Sequence, residues 1–286
     1  MNRYQMAQLM SYGVGEMLKL ETNMLTTVAD VKRCAVGQKV GFRIGLNDVK
    51  AYVQAKGSTT ARNIVANKQI LLDTVEISAR PVMNLIELAT KQVQMSDLIR
   101  EAKDRMLAAQ YSIVQRVIND GVQNWATPYY GTGTGVVKAT LDPMINFWKR
   151  IGRVVVMGDI EILGKISELT GFTASTTTKE FSDELINEHN TNGFLGVYNG
   201  AQIVALTNPY PDEATTTPVF DTDKLYILPA AASADMRPLK VLLEGDVMQT
   251  DALNIDNGCM EVCLRQFVGA GMAHGQRPYM SVYAAT

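Results

Sequence analysis

The stretch NGFLGVYNGAQIVALTNPYP, residues 192–211, predicts a tight β-hairpin. Two short runs typical of β-strands, residues 194–198 and 201–206, flank the pair Asn199-Gly200. Asparagine and glycine both tolerate the positive φ angles that a two-residue type I′ turn requires. No acidic, basic, histidine or cysteine residue interrupts the stretch. We therefore expect a structural element that carries no chemistry of its own.

The composition is that of a globular protein. Of the 286 residues, 47% are apolar, and 27 basic residues nearly balance 29 acidic ones. A chain of this length can bury a core in one large domain or in two smaller ones. The near-neutral charge argues against a protein that coats DNA, because such a protein would carry a basic stripe. The apolar runs are too short to span a membrane, and no secretory signal is recognisable, so we expect no membrane partner.

The cysteines and histidines predict neither a disulfide framework nor a metal site. The three cysteines, Cys34, Cys259 and Cys263, are too few for such a framework and fit a reducing cytoplasm. We interpret them as unreactive thiols, with Cys259 and Cys263 on one face of a strand. The histidines, His189 and His274, have no partners at a spacing typical of a metal helix or a catalytic triad. We expect no metal and no cofactor.

The glycine-rich segment NWATPYYGTGTGVVKA, residues 124–139, does not fit a nucleotide site. Its glycines lack the G-x-G-x-x-G spacing, and no Gly-Lys-Ser/Thr follows them, so we interpret the segment as a flexible turn. Asp159 and Glu161 are interpreted as acids at a helix N-terminus, where the helix dipole favours them. Because no nucleophile, base or metal constellation is found, we predict no catalytic residue and no enzymatic activity. The glycines of this segment are Gly131, Gly133 and Gly135.

A long two-stranded ribbon is predicted after the first 36 residues, which we interpret as an N-terminal arm with an amphipathic helix around 16–27. In KVGFRIGL, residues 39–46, apolar side chains alternate with polar or small ones, which is the period of a strand with one apolar face. Residues 69–79 are predicted to form the partner strand, with Leu71 and Val75 on its apolar face. About twenty polar, cationic residues separate the two, and so long a tip is unusual inside a compact domain. An isolated ribbon is marginally stable in water, so we expect it to reach away from the body and lie on a neighbour.

A long helix is predicted over residues 96–120, where apolar residues recur at three- and four-residue steps along one face. Ser96 is the expected N-cap, Glu101 and Arg105 form an i,i+4 pair, and Gly121 is the expected stop. About 24 residues at 1.5 Å each give a rod of about 36 Å.

The remainder is predicted to alternate helix and strand up to residue 237 and to return to β-structure after Pro238. Asp159 is the expected cap of a helix that reaches Leu169 and ends at Gly171. The predicted segments are a helix at 141–151, a strand at 154–157, the opening hairpin, and strands at 224–228, 239–243, 260–273 and 279–283.

Two segments of opposite charge stand out. Between Glu244 and Glu261 there are five acids and no base, and we predict an acidic loop there. The tip at 47–66 holds three bases against the single acid Asp48. Together they predict the two halves of a contact between subunits, which would guide and register assembly more than stabilise it. The predicted contact residues are Lys50, Lys56, Arg62, Glu244, Asp246, Asp251 and Asp256.

This order of parts resembles the major capsid proteins of tailed bacteriophages, which have the HK97 fold, an α+β class. The hairpin is similar to a G-x-L-G-x-x-x-G-x-x-V motif of that family, which here runs from Gly193 through Gly196 and Gly200 to Ile203 and is followed by a valine. The segments VVVMGDIEILGKISEL and DKLYILPA also resemble the family's A-domain. The resemblance implies an N-arm (1–36), an E-loop hairpin (37–80), a P-domain with a spine helix at about 96–120 (81–139), an A-domain (140–237) and return strands of the P-domain (238–286).

The resemblance also implies the function and the partners. The chain would self-assemble into hexamers and pentamers that form an icosahedral or prolate head around double-stranded DNA, which it would contact non-specifically. A separate scaffolding protein, a portal and a decoration protein are the other expected partners. The resemblance places assembly in the host bacterial cytoplasm and the product in the virion.

Two alternatives stay open at this point. An encapsulin-type compartment would use the same fold to enclose a protein cargo. A small α/β enzyme would use residues 140–237 but leaves the ribbon and the long helix unexplained.

Overall fold

A computed structural model describes residues 5, 8–16, 18, 28–47, 65–84, 87, 90, 94–174, 194–230, 234–254, 259–275 and 277–285. Within them lie fourteen strands, three α-helices and a helical N-terminal segment at 8–16, which gives the expected α+β class. The helices are α1 (Met95–Val122), α2 (Lys138–Lys149) and α3 (Ile160–Ser167). The strands are β1 (Ala29–Cys34), β2 (Gly41–Asn47), β3 (Val65–Leu71), β4 (Val75–Ala79), β5 (Val82–Asn84), β6 (Tyr130–Gly133), β7 (Val154–Gly158), β8 (Phe172–Ala174), β9 (Phe194–Tyr198), β10 (Ala201–Ala205), β11 (Lys224–Pro229), β12 (Leu239–Asn254), β13 (Cys259–Met272) and β14 (Ser281–Ala285).

The first sheet has five strands and packs against α1. Its order is β1-β12-β13-β4, with β5 also paired to β13. Strand β1 runs parallel to β12, whereas β12, β13 and β4 are antiparallel. Alternate residues of β13, such as Val262 and Leu264, are buried in the same core cluster as Ile99 and Met106 of α1. The period-2 pattern of the sheet and the helical pattern of α1 therefore meet in one core.

Helix α1 confirms the predicted rod but not its predicted ends. It begins at Met95, after Gln94, whose side chain makes no capping hydrogen bond, so the prediction of Ser96 as the N-cap is wrong. Gly121 lies inside the helix and does not end it. A side chain there would place a Cβ 2.5 Å from Cγ of Met272, so glycine allows the helix to approach β13 closely. The predicted pair is present, with 3.9 Å between Arg105 Nη2 and Glu101 Oε1.

The second sheet has seven strands in the order β6-β14-β11-β7-β10-β9-β8. Helices α2 and α3 contribute Trp148 and Ile162 to the core on this sheet, both of them fully buried. The predicted cap of α3 is confirmed, because Oδ1 of Asp159 accepts a hydrogen bond from the Glu161 N–H at 2.9 Å.

The opening hairpin forms strands β9 and β10, and its turn has the expected backbone. Asn199 has φ 46° and Gly200 has φ 69°, both in the left-handed region. The hairpin is fastened to α2, because Tyr198 Oη donates to Asp142 at 2.8 Å and Lys149 Nζ donates to the Asn199 carbonyl at 2.9 Å. Burial and the neighbouring carboxylate of Asp142 raise the pKa of Tyr198. The stretch is thus a structural clamp, as its lack of reactive residues indicates.

Three sequence expectations about strands need correction. Strand β12 runs on to Asn254, so the predicted loop after Glu244 is for most of its length a strand. The resemblance assigns residues 238–286 to return strands of the P-domain, but β14 pairs with β11 and β6 in the second sheet and not with the strands of the first one. Residues 69–79 form two strands, because the chain leaves the ribbon after Leu71 and then joins β13 through β4, where Val75 pairs with Val268. Short-range patterns give the strand period but not the partner.

The ribbon itself is the two-stranded sheet β2–β3, with Gly41 opposite Leu71 and Asn47 opposite Val65. Its base is held by the protein's own body. Phe42 is fully buried, the ammonium of Lys32 lies 4.9 Å from its ring centroid, and the same ammonium donates to the Gly41 carbonyl at 3.0 Å. The residues between the strands, 48–64, lie outside the described residues.

The N-terminal helical segment is also packed on the body. Met10 and Val14 are fully buried, and Gly13 lies against Ile99 of α1. Ser11 Oγ donates to the Val247 carbonyl at 2.7 Å. Most of the helix expected at 16–27 lies outside the described residues, but the helical part at 8–16 does not reach away from the fold.

Candidate assembly surfaces

The ribbon is strongly cationic. Between residues 39 and 71 there are six bases and one acid, which leaves a charge of +5 on this segment of a chain whose net charge is −2. Of these bases, Lys39, Arg43 and Lys68 are exposed on the described strands and their entry. The predicted contact residues Lys50, Lys56 and Arg62 lie outside the described residues. The remainder of the chain carries the compensating negative charge.

Glu244 is engaged within its own subunit. Its carboxylate accepts hydrogen bonds from the Gly37 N–H at 2.5 Å and from Thr74 Oγ1 at 2.8 Å. These two bonds, the Gly37 one first, lower the pKa of Glu244. The side chain therefore joins the two chain segments at the base of the ribbon, a structural role that its position in an acidic run did not indicate.

The acids that follow Glu244 are spread along a strand. A bulge interrupts the β12–β13 pairing between Glu244 and Met248, and Gly245 has φ 73° there. Beyond the bulge the strand continues past Asp251, so at about 3.3 Å per residue Glu244 and Asp251 are separated by at most about 23 Å. Asp246 lies in the bulge beside a cavity of about 370 Å³. Asp256 lies outside the described residues, and Glu261 pairs with Arg80.

A denser acidic surface, which the sequence analysis missed, lies between α1 and the loop 209–216. We call it the acidic cleft; its volume is about 760 Å³. Arg105 spans it, with Nη2 3.9 Å from Glu101 of the helix and 3.9 Å from Glu213 of the loop. Hydrogen bonds from the side chain and the backbone N–H of Thr215 lower the pKa of Asp212. The charged residues of the cleft are Asp97, Glu101, Asp104, Asp212 and Glu213, with Arg100 and Arg105.

The helical spacing of 97, 101 and 104 could have indicated one wall of this cleft. Its other wall comes from a loop more than a hundred residues later, so only the fold brings them together.

A buried ion pair fixes β1 to the sheet. Lys240 Nζ lies 3.1 Å from Asp30 Oδ2, and it also donates to the Asp235 carbonyl at 2.9 Å. Both side chains of the pair are buried. Burial lowers the pKa of Lys240, and Asp30 opposes that shift. Because Asp30 faces Lys240 in the parallel register, the pair specifies where the N-terminal strand binds.

The described residues hold no group of His, Cys, Asp or Glu arranged to bind a metal ion. Cys34, Cys259 and Cys263 are half-buried, and none of the three forms a disulfide. His274 Nδ1 donates to the Gly275 carbonyl at 2.8 Å, and His189 lies outside the described residues. In the same part of the chain, no helix combines the length and apolarity needed to cross a membrane.

Two sheets joined by a long helix, with a ribbon at one side, define the class of HK97-like capsid proteins. Similar solved structures include a virus-like particle from Pyrococcus furiosus, with 12% identity, a TM-score of 0.54, and coverage of 96% of this chain and 98% of that one. The capsid of an empty GTA particle matches with 9% identity, a TM-score of 0.56, and coverage of 92% and 89%. The mature capsid of bacteriophage PhiM1 matches with 10% identity, a TM-score of 0.52, and coverage of 90% and 85%.

The chain belongs to the family described as "SPbeta prophage-derived putative capsid protein YonB", whose profile matches residues 2–283. It is therefore a structural subunit of a capsid shell. No curated protein sequence matches the chain.

Proposed function

We propose that this capsid subunit self-assembles into hexamers and pentamers that enclose double-stranded phage DNA in an icosahedral or prolate head. The observation that carries this proposal is the ribbon, which in the described residues pairs with no third strand. A two-stranded ribbon is marginally stable alone, and its surplus of positive charge favours a negatively charged neighbour. Many identical weak contacts, repeated by symmetry, add up to a stable shell.

The further partners of this proposal are a separate scaffolding protein, a portal, a decoration protein and DNA bound without sequence preference. Assembly would take place in the host bacterial cytoplasm. The proposed parts are an N-arm (1–36), an E-loop (37–80), a P-domain with α1 (81–139) and an A-domain (140–237). Residues 238–286 would complete the P-domain, although their last strand, β14, pairs with β11 and β6 in the second sheet.

We propose that the ribbon of one subunit lies on an acidic surface of the next. Lys50, Lys56 and Arg62 remain its proposed contact residues, with Asp246, Asp251 and Asp256 as partners. Glu244 already holds Gly37 and Thr74 within its own subunit, so a contact with a neighbouring ribbon would compete with these two bonds. The acidic cleft is a second acceptor surface, since its five acids and two bases lie close together.

Negative-stain microscopy of the purified full chain tests the assembly. We expect closed shells or hexameric rings from the wild type, and only a monodisperse monomer would contradict the proposal.

The double charge reversal K39E/R43E should abolish or delay assembly, because both side chains are exposed on the ribbon side. A matched control, R150E/R153E, reverses two exposed charges away from the ribbon and should assemble normally. Nucleic acid in particles isolated from infected cells, rather than a protein cargo, separates this function from an encapsulin-type compartment.

A further inference from the structure

Helix α1 carries two polar links, one on each of the faces that it presents to the two sheets. Toward the first sheet, Gln110 Nε2 donates to Gln266 Oε1 at 2.7 Å. Toward the second sheet, Tyr226 Oη of β11 donates to Gln115 Oε1 at 2.8 Å. All four side chains are buried. The helix is therefore the element through which the two sheets are held at a fixed angle.

The link to the second sheet is part of a larger network centred on Asn119. Its Oδ1 accepts from Gln115 Nε2 at 2.9 Å and from Lys224 Nζ at 2.6 Å. Its Nδ2 donates to Asp221 Oδ2 at 3.2 Å, and the same carboxylate oxygen lies 2.6 Å from Lys224 Nζ. Asn119 thus uses both ends of its amide to join α1 to β11 and to the turn that precedes it.

Asn208 fixes the residue that precedes Asp221. Asn208 Oδ1 accepts a hydrogen bond from the Phe220 N–H at 2.8 Å, and Asn208 Nδ2 donates to the Phe220 carbonyl at 2.9 Å and to Asp159 Oδ2 at 2.6 Å. The other oxygen of Asp159 caps α3. Phe220, the residue before Asp221, is therefore linked through Asn208 to Asp159, which lies between β7 of the second sheet and α3.

Apolar contacts alone would not fix the orientation of α1 relative to the second sheet. Between helix and sheet, Tyr111 packs on Phe220 with ring centroids 5.1 Å apart, and Ile118 is buried beside them. Such contacts are non-directional, whereas hydrogen bonds are directional. Gln115 and Tyr226 are buried and Asn119 is half-buried, so breaking the bonds that link these three residues costs free energy. A rotation of α1 against β11 would break several bonds of the network at once, so one orientation is selected.

We propose that Asn119 is a positioning residue that fixes the orientation of α1 relative to the seven-stranded sheet. The angle between the two sheets is a property of the single subunit. In a closed shell the same angle sets the curvature, and this second consequence rests on the proposed function. A subunit with a loosened angle would form shells of unequal diameter.

The test measures the angle in the full chain and uses an exchange of side chains between positions 119 and 221. Spin labels are attached through S112C on α1 and G164C on α3, both exposed, after Cys34, Cys259 and Cys263 are replaced by serine. The labelled chain is mixed with a large excess of unlabelled chain, so that only distances within one subunit are read. We expect one narrow distance distribution in the otherwise native protein.

The variant N119D removes the donor to Asp221 and sets two carboxylates side by side, so we expect the distribution to broaden or shift. The double variant N119D/D221N restores a donor at position 221 and an acceptor at 119, so we expect the native distribution to return. The control I118V removes a buried methyl group from the same helix without touching the network, and it should lower stability but leave the distances unchanged.

An unchanged distribution in N119D would overturn the proposal, as would a double variant as broad as the single one or an I118V as broad as N119D. If N119D does not fold, Y226F removes one bond of the network and should broaden the distribution less. Particle diameters of the same variants are measured by microscopy. A native chain that stays a monodisperse monomer would contradict the proposed function, while the label distances would still decide the role of Asn119.

Discussion

At the scale of a single residue, the charged carboxylate of Glu244 forms hydrogen bonds inside its own subunit. The bonds from Gly37 and Thr74 lower its pKa below the ordinary value of 4.5. A lowered pKa in the folded state means that the carboxylate stabilises the fold above the ordinary pKa, and that this stability is lost as the pH falls through the lowered value. We therefore expect E244Q to be less stable than the wild type at neutral pH, and the difference to shrink in acid.

Urea unfolding of both proteins between neutral and acidic pH measures that difference. The variant E168Q, which removes an exposed carboxylate at the end of α3, corrects for the general loss of one negative charge. A stability difference that stays constant across the pH range would contradict this account of Glu244.

The buried pair of Lys240 and Asp30 gives a second prediction at this scale. Removal of one partner leaves the other charge buried without its counter-ion, which costs about 3–5 kcal/mol of folding free energy. We expect D30A to lose about this much in chemical unfolding. The double variant D30L/K240M replaces both charges by apolar groups and should recover most of the loss. A single variant within about 1 kcal/mol of the wild type would indicate that the pair is solvated and not buried.

The β9–β10 hairpin is the element that the sequence predicts most clearly. The conformation of its turn can be tested by comparing the effect of an alanine substitution at Gly200 with the effect at Gly164. Gly200 has a positive φ, so G200A should cost about 1–2 kcal/mol of folding free energy. Gly164 lies in α3 with open space around its Cβ position, so G164A should stabilise the protein by about 0.5–1 kcal/mol. Thermal unfolding of the two variants should shift the midpoint in opposite directions, and a shift in the same direction would contradict the assigned turn.

The elements were predictable where one local pattern dominates. The alternation over 39–46, the helical spacing before Gly121 and the Asn199-Gly200 turn each give a structure that is confirmed. The acidic run after Glu244 misled, because acids are disfavoured in strands on average, while here pairing along β13 overrides that preference. The position of β14 could not be derived, since its partners β11 and β6 are about 55 and 150 residues away in the chain.

The candidate surfaces were predictable only in part, and for a similar reason. The positive charge of the ribbon can be counted in a continuous segment, whereas the acidic cleft combines a helix with a distant loop. The Asn119 network joins α1 to residues about a hundred positions later in the chain, and no sequence motif relates these positions. Sequence patterns report local order, but polar networks between elements depend on the fold.

At the scale of the whole molecule, the separation of charge predicts a salt-dependent assembly. The ribbon segment has a charge of +5 and the rest of the chain is negative. Attraction between exposed charges is screened over about 10 Å at 0.1 M salt and over about 3 Å at 1 M salt. We expect assembly, followed by light scattering, to slow as salt is added.

The triple variant K39Q/R43Q/K68Q removes the exposed described charges of the ribbon and should assemble slowly with a weaker response to salt. Assembly of the wild type that accelerates with salt would mean that apolar contacts, and not the ribbon charges, drive the encounter.

Strand β14 lies between β11 and β6, within the second sheet and not at its edge. Until residues 281–285 have left the ribosome, the neighbours of this strand have a gap between them and their backbone groups lack partners. Without β14 the second sheet is therefore split between β6 and β11, and it becomes continuous only when this strand is inserted between them.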